Sequence, residues 1–148
     1  MGLSESFQLS LLKLHQAVYE RTDGRLGHRL LGVPTLLLRS TGARSGQTRV
    51  NALVYVKDGE DFVVVASKGG APSPPGWLFN VRAQPAVELQ LGRRRIGGVA
   101  RVLERGEEGY DRLWRLVNEN NNGRYDAYQA KTQRPIALVT VTPTTPAG

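Results

Sequence analysis

Alternating apolar and polar residues dominate the middle of the chain and predict strands. Residues 49–57 alternate with a period of two, as a half-buried strand does, and Asp58-Gly59 then signals a hairpin. Residues 61–67 continue as a β-branched run that is apolar on both faces, so this strand should be central. The predicted strands are 34–39, 49–57, 61–67, 86–91, 96–104 and 135–142.

Apolar residues at helical spacing predict helices outside these strands. The predicted helical segments are 6–22, 77–83, 106–121 and 125–132. Gly97-Gly98, inside a predicted strand, indicates either a bulge or close packing. Short turns join most strands, and neither a repeated strand–helix alternation nor a GxGxxG or P-loop motif is present. We therefore expect an α+β fold, in which about six mostly antiparallel strands form a closed or nearly closed sheet with an N-terminal helix and C-terminal helices.

The composition narrows the classes of partner. The 148 residues are most simply one domain, residues 1–148. The absence of cysteine excludes thiolate nucleophiles and zinc–sulfur sites and is compatible with a reducing cytoplasm. A net charge of +7 favours an anionic partner, which could be a phosphorylated cofactor, nucleic acid or an anionic membrane surface. The run Arg93-Arg94-Arg95 fits a solvated turn between strands.

The N-terminal helix, within residues 1–24, allows two interpretations. A helix packed on the domain is favoured, and the alternative is an amphipathic segment that contacts a membrane, with Lys13, His15 and Arg21 at its polar boundary. No stretch is apolar enough to cross a bilayer, and no secretory signal opens the chain. We therefore expect a cytoplasmic protein, with peripheral membrane association as the open alternative.

Two short polar loops, each at the end of a predicted strand, combine glycine, a hydroxyl and a fixed cation. The first cationic loop (residues 41–49) reads TGARSGQTR, and the second cationic loop (residues 67–71) reads SKGGA. Exposed backbone N–H groups and arginine side chains bind phosphate and carboxylate. Two such loops on a small chain indicate an anionic ligand that spans both.

Few side chains are suited to catalysis on their own. His15 and His28 are the only histidines, no G-x-S-x-G motif is present and the carboxylates form no evident acid–base pair, so neither triad hydrolysis nor a metal site is expected. Tyr125 and Tyr128 are three residues apart and would share a helix face, where they either pack or line a pocket and donate protons. This inventory favours a cofactor that brings its own reactivity.

Three blocks of sequence resemble the deazaflavin-dependent nitroreductase family. They are residues 36–51 (LLLRSTGARSGQTRVN), residues 64–71 with 76–85, and residues 125–136, and the match runs from about residue 7 to residue 143. The resemblance implies a split β-barrel that binds coenzyme F420, an 8-hydroxy-5-deazaflavin. It also implies reduction of quinones, nitroaromatics or other electron-poor unsaturated acceptors, and an actinobacterial origin.

The resemblance assigns the cationic loops to the cofactor. Arg44, Ser45 and Arg49 should meet the phosphate- and carboxylate-bearing tail. Ser67 and Lys68 should lie beside the tail or the ring. The positive charge would then serve a polyanionic cofactor, and no nucleic-acid partner is expected.

The resemblance also assigns a groove and a set of catalytic candidates. The residues implied to line the ring are Asn51, Ala52 and Leu53, and those implied to cover the groove are Trp77, Leu78, Asn80 and Tyr128. The implied chemistry is hydride transfer to an acceptor stacked on the ring. Tyr125, Tyr128 and Ser67 are the candidates for stabilising the developing oxyanion or passing a proton.

Two residues depart from the family's pattern, and two alternatives stay open. Ala43 stands where a second basic residue is common, and Lys131 stands where an aromatic residue can lie beside the substrate, so tail affinity and acceptor range should differ. One alternative is a related split barrel that uses FMN or binds haem breakdown products, although two cationic loops suit a long anionic tail better than a single phosphate. The other is a non-catalytic cofactor or nucleic-acid binding protein, although aromatic residues are not interleaved with the basic loops as base stacking requires.

Overall fold

The computed structural model describes residues 29–30 and 33–144, with side chains from residue 34 onward. The strands are β1 (Arg29–Leu30), β2 (Val33–Thr41), β3 (Thr48–Asp58), β4 (Asp61–Val65), β5 (Ala86–Leu91), β6 (Arg94–Leu103) and β7 (Leu138–Pro143). The helices are α1 (Gly76–Ala83), α2 (Tyr110–Asn120) and α3 (Arg124–Ala130), and Lys68–Gly70 forms a 3₁₀ turn. The helix predicted for residues 6–22 lies outside the described residues, and so do His15 and His28.

Strands β2 to β7 close into a six-stranded antiparallel barrel in the order β2-β3-β4-β7-β6-β5. Pairing of β5 with β2, through Leu38 opposite Leu89, completes the circle. The short β1 adds to the beginning of β2. This architecture confirms the predicted closed or nearly closed antiparallel sheet, and the Asp58-Gly59 hairpin forms as expected between β3 and β4.

The β3 strand has different neighbours along its length. It pairs with β2 from Thr48 to Val54, whereas its pairing with β4 begins at Tyr55. The chain leaves the sheet after Val65 and reaches α1 through residues 66–75. The β4 ladder therefore covers only the second half of β3, and the barrel is split beside the first half.

One hydrophobic cluster fills the barrel, and α1 inserts into it. The helix contributes Trp77, Leu78 and Val81, each at most 4% exposed. Gly98 faces this interior, where an added Cβ would lie 2.6 Å from the Val141 Cγ1 atom. Because the β5–β6 pairing runs through Gly98 without a break and the β6–β7 pairing begins there, this glycine reflects close packing and not a bulge.

A second hydrophobic cluster, the outer cluster, forms where α2 and α3 pack on the outside of the barrel. Val63 and Val65 of β4 and Leu138 of β7 meet Leu113 and Val117 of α2. Both faces of β4 are therefore buried, as its doubly apolar sequence predicted.

Turns and strand ends account for the remaining differences from the predictions. The helix expected from residue 106 begins at Tyr110, because residues 104–109 form turns in which the Glu107 carboxylate accepts a hydrogen bond from the Glu104 amide at 3.0 Å. The predicted 135–142 strand begins at Leu138. Arg93, Arg94 and Arg95 are exposed at the β5–β6 turn, as expected for a solvated charge run.

Candidate functional site

Both cationic loops lie at the same end of the barrel. The first follows the carboxyl end of β2, and the second follows the carboxyl end of β4. Because β3 is antiparallel to both, β2 and β4 run in the same direction and their carboxyl ends share one rim. The β3–β4 hairpin and the β5–β6 turn occupy the opposite rim. The topology therefore brings together the loops that the sequence singled out.

The first cationic loop is a compact turn with outward-facing donors. Gly42 N donates to Gln47 O at 2.8 Å, and Ser45 Oγ accepts from Gln47 N at 3.1 Å. Arg44 and Arg49 are exposed, and within residues 34–144 no carboxylate forms an ion pair with either. The backbone N–H groups of Arg44 and Ser45 also have no hydrogen-bond acceptor within this range. The loop thus offers positive charge and free donors to an external anion.

Asn80 fastens this loop to α1. Its Oδ1 accepts from the Ala43 amide at 3.0 Å, and its Nδ2 donates to Ser40 Oγ at 3.3 Å. Ser40 is 2% exposed, so the amide bridges a buried hydroxyl and the loop backbone. Asn80 was expected to cover a groove, and the structure places its side chain in these two hydrogen bonds.

The second cationic loop has a left-handed backbone over three consecutive residues. Lys68, Gly69 and Gly70 have φ values of 45°, 64° and 83°. Gly70 N donates to Ser67 O at 2.9 Å, whereas the N–H groups of Lys68 and Gly69 have no acceptor in the described part of the chain. Successive free N–H groups in such a conformation form an anion-binding concavity. The exposed Lys68 side chain adds a cation, and no ion pair neutralises it among the described residues.

Ser67 carries a buried hydroxyl that the described residues leave without a hydrogen-bond partner. The residue is 8% exposed, and it makes no side-chain capping bond to the 3₁₀ turn. Buried polar groups in folded proteins are nearly always hydrogen-bonded, to protein, water or a ligand. Within the described residues this hydroxyl is therefore available to a water molecule or to a ligand atom.

The Arg134 side chain is hydrogen-bonded to the backbone of the second loop and of the residue before it. Its guanidinium donates to Ser67 O at 2.7 Å, to Ala71 O at 2.9 Å and to Ala66 O at 3.3 Å. Partial burial lowers the pKa of Arg134, although a guanidinium keeps its charge throughout the physiological range. The sequence reasoning missed this residue, because its partners lie 63 to 68 positions earlier in the chain. The only signal was its place inside the third block, residues 125–136.

The two tyrosines of α3 occupy different environments. Tyr125 is 6% exposed in the outer cluster, where burial raises its pKa to about 12. Tyr128 is half-buried, and Lys131 Nζ lies 5.9 Å from its ring centroid. Gly70 packs directly on this helix, since an added Cβ would lie 2.5 Å from Tyr128 O. The Tyr128 backbone therefore contacts the second loop, whereas its half-buried ring packs against the same outer cluster that buries Tyr125.

The remaining residues predicted to contact the cofactor lie either in the half of β3 that does not pair with β4 or in the barrel core. Asn51, Ala52 and Leu53 are half-buried in the part of β3 that β4 does not cover, and Asn51 and Leu53 share the interior face. Trp77 and Leu78 are buried in the barrel core. Their side chains therefore support α1, and direct contact with a cofactor stays a prediction.

Other features of the described residues lie away from this rim. An open depression of about 440 Å³ contains none of the predicted site residues; it is lined by Pro34, Tyr55 to Lys57, Leu116, Glu119 and Asn120. Within residues 29–30 and 33–144, no group of three histidine or acidic side chains could hold a metal ion. No helix in these ranges is both long and apolar enough to cross a membrane.

A split antiparallel barrel with two cationic loops at one rim defines the class, and comparison with known proteins defines the family. The family model described as F420H(2)-dependent quinone reductase matches residues 11–143. An F420H(2)-dependent quinone reductase of Mycobacterium tuberculosis is 47% identical over 135 residues, which cover 90% of this chain and 91% of that protein. The chain belongs to the F420H(2)-dependent quinone reductase family.

Solved structures agree on the fold. An F420-H2 dependent reductase is 39% identical, with a TM-score of 0.65 over 73% of this chain and 93% of its own. A protein described as a domain-swapped dimer is 37% identical, with a TM-score of 0.67 over 85% of this chain and 93% of its own. The haem storage protein HutZ of Vibrio cholerae, at 17% identity and a TM-score of 0.58 over 87% of this chain and 89% of its own, shares the fold alone.

Proposed function

We propose that this protein binds reduced coenzyme F420 and uses it to reduce a quinone, nitroaromatic or other electron-poor unsaturated acceptor. Coenzyme F420, the cofactor that the family implies, supplies a hydride from carbon 5 of its deazaflavin ring when bound in the reduced form. The observation that carries the proposal is the shared rim. There, two loops carry cations and N–H groups that no described residue neutralises or binds, and the second loop adds the buried Ser67, whose hydroxyl has no partner in the described ranges.

The donors at this rim fit the cofactor's anionic tail. Arg44 and Arg49 offer charged, planar donors from the first loop, and Lys68 offers an ammonium group from the second. Ser45 can donate its hydroxyl hydrogen while its oxygen accepts from Gln47 N. A long tail with phosphate and carboxylate groups can use both loops at once, whereas the single phosphate of FMN needs only one. We therefore assign Arg44, Ser45, Arg49 and Lys68 to tail binding.

The split beside β3 fits the flat ring. Asn51, Ala52 and Leu53 lie in the half of β3 that does not pair with β4, and the Asn51 side-chain amide has no hydrogen-bond partner among the described residues. A deazaflavin ring presents both apolar faces and polar edge atoms, which match Leu53 and the Asn51 amide. Ser67 would meet a polar atom of the bound cofactor with its unpaired hydroxyl.

Tyr128 is the proposed catalytic tyrosine. It lies in α3, whose backbone contacts the second loop, and we propose that its half-buried phenol holds a proton at Oη where negative charge develops on the acceptor oxygen. Tyr125 holds its proton more tightly because burial raises its pKa to about 12, and its ring packs in the outer cluster. We assign Tyr125 to supporting Tyr128, whose ring it meets edge-on with 6.1 Å between centroids.

Stopped-flow mixing of the purified protein with reduced F420 and menadione tests the reaction. We expect oxidation of F420 that depends on protein concentration and on menadione. Tyr128→Phe should lower kcat by about a hundredfold, the usual scale for a lost proton donor, with little change in KM for reduced F420. Unchanged oxidation compared with protein-free buffer would refute the proposed function. A larger kcat loss in Tyr125→Phe than in Tyr128→Phe would instead assign the role of proton donor to Tyr125.

For cellular location we propose the cytoplasm, and contact of residues 6–22 with a membrane stays a prediction from the sequence. Cosedimentation of the whole protein with anionic phospholipid vesicles tests that contact. Retention on anionic but not on neutral vesicles at physiological salt would support it, and equal recovery in the supernatant in both cases would contradict it.

A further inference from the structure

We propose that Arg134 is a positioning residue for the F420 site, acting through the second cationic loop. Its guanidinium would fix the backbone so that the Lys68 side chain and the N–H groups of Lys68 and Gly69 face the anion. This inference rests on the proposed function and assigns a role that neither of the cationic loops can supply by itself.

The hydrogen bonds of Arg134 converge on one short segment. The carbonyl oxygens of Ala66, Ser67 and Ala71 lie within 3.3 Å of three different guanidinium nitrogens. A guanidinium presents five N–H donors in one rigid plane, so it can hold both ends of a tight turn together. A lysine ammonium in the same place has three donors around a single atom and cannot span these carbonyls.

The conformation that these bonds hold is costly without support. Lys68 has a φ of 45°, although the left-handed region is unfavourable for a residue with a Cβ. Three carbonyls of the loop are occupied by Arg134, and the Ser67 and Lys68 carbonyls also accept from Gly70 N and Ala71 N. The N–H groups of Lys68 and Gly69 are left without an internal acceptor. The clamp therefore fits a loop that is prepared to receive an anion.

The backbone of Arg134 is itself fixed by Gln129 of α3. The Gln129 Nε2 atom donates to Arg134 O at 2.8 Å, and its Oε1 atom accepts from Ile136 N at 2.9 Å. One segment, residues 129–136, thus joins the helix that carries Tyr128 to the loop that carries Lys68. The third sequence block, residues 125–136, therefore supports the backbone of the second loop in addition to carrying the two tyrosines.

A double-mutant cycle separates positioning from general stability. Dissociation constants for oxidised F420 are measured by tryptophan fluorescence in the wild type, Arg134→Gln, Lys68→Ala and the double variant, alongside their melting temperatures. We expect Arg134→Gln to weaken F420 binding by about tenfold in the wild-type background and by about threefold in Lys68→Ala, where only the N–H groups of residues 68 and 69 remain to be positioned. Arg112→Gln is the matched control, because it removes a bidentate pair with Asp58 at the opposite rim. It should leave F420 binding unchanged.

Equal losses in both backgrounds, or none, would overturn the positioning role. Failure of the wild type to bind F420 would instead remove the proposed function itself. If Arg134→Gln does not fold, Arg134→Lys replaces it in the cycle, together with amide hydrogen exchange of Gly70 and Ala71, whose N–H groups are hydrogen-bonded within the turn. We expect faster exchange and weaker F420 binding in this variant, and wild-type values for both would also overturn the inference.

Discussion

Gly70 should be far less tolerant of a methyl group than its neighbour Gly69. Both residues are left-handed, with φ values of 83° and 64°, so alanine at either position is strained by about 1–2 kcal/mol. They differ in their surroundings. An added Cβ at Gly70 would lie 2.5 Å from Tyr128 O and 3.0 Å from Lys131 Cβ, whereas nothing lies within 4 Å at Gly69.

The steric difference sets the expected magnitude. The backbone carbonyl of α3 cannot move without shifting the helix, and forced overpacking of this kind typically costs about 1–3 kcal/mol. Gly70→Ala should therefore destabilise by about 2–5 kcal/mol in total, against about 1–2 kcal/mol for Gly69→Ala. At about 2–4 °C per kcal/mol for a chain of this size, the extra loss in Gly70→Ala lowers Tm by several degrees more.

Thermal unfolding followed by circular dichroism measures both variants against the wild type. A clear gap between the two alanine variants supports the contact between the second loop and α3. Equal Tm values for Gly69→Ala and Gly70→Ala would refute the reasoning, because the backbone strain is common to both and only the contact with Tyr128 differs.

Further predictions concern the first loop, the core and the outer cluster. Asn80→Ala should cost about 1–2 kcal/mol in urea unfolding, because it removes two hydrogen bonds that fasten the first loop, and wild-type stability would contradict that role. Gly98→Ala should lower the free energy of unfolding by about 1–3 kcal/mol, since the new methyl group meets the fully buried Val141. Gly76→Ala is the control, because nothing lies within 4 Å of the added Cβ, and it should be nearly neutral. Similar losses of stability in both variants would refute the close packing at Gly98. Because folding raises the pKa of Tyr125 from 10.0 to about 12, its contribution to stability is complete below pH 10 and is lost as the pH rises toward 12. The free energy of unfolding of Tyr125→Phe should therefore fall less steeply than that of the wild type between those pH values, and parallel curves would contradict the assignment.

Local patterns were sufficient to predict the strands and most helices, because burial on one or both faces leaves a periodic trace in the sequence. The alternation at residues 49–57 became β3, and the doubly apolar run became the central β4, with its two faces in two different clusters. Closure of β5 on β2 carries no such trace, because pairing partners such as Leu38 and Leu89 are far apart in the chain.

The residues of the candidate site also fall into two groups, those that local sequence patterns reveal and those that only the folded structure reveals. Its cations and glycines were visible as short loops, since the chemistry of an anion site is local. Its supports were not visible, because Asn80 and Arg134 act on backbone atoms of segments about 40 and 65 positions away. Spacing alone could not separate Tyr125 from Tyr128 either, because both lie on α3, and only the packing of the outer cluster shows that Tyr125 is buried.

The most direct test of the central claim is the affinity of the whole protein for oxidised F420, compared with FMN. Trp77 belongs to α1, whose Asn80 is hydrogen-bonded to the first loop, so we use its fluorescence to follow ligands at the rim. We predict saturable quenching by F420 that weakens in Lys68→Ala and with added salt, and that is unchanged in Arg94→Ala at the opposite rim. Equal weakening in the two variants, or saturable binding of FMN in place of F420, would contradict the account.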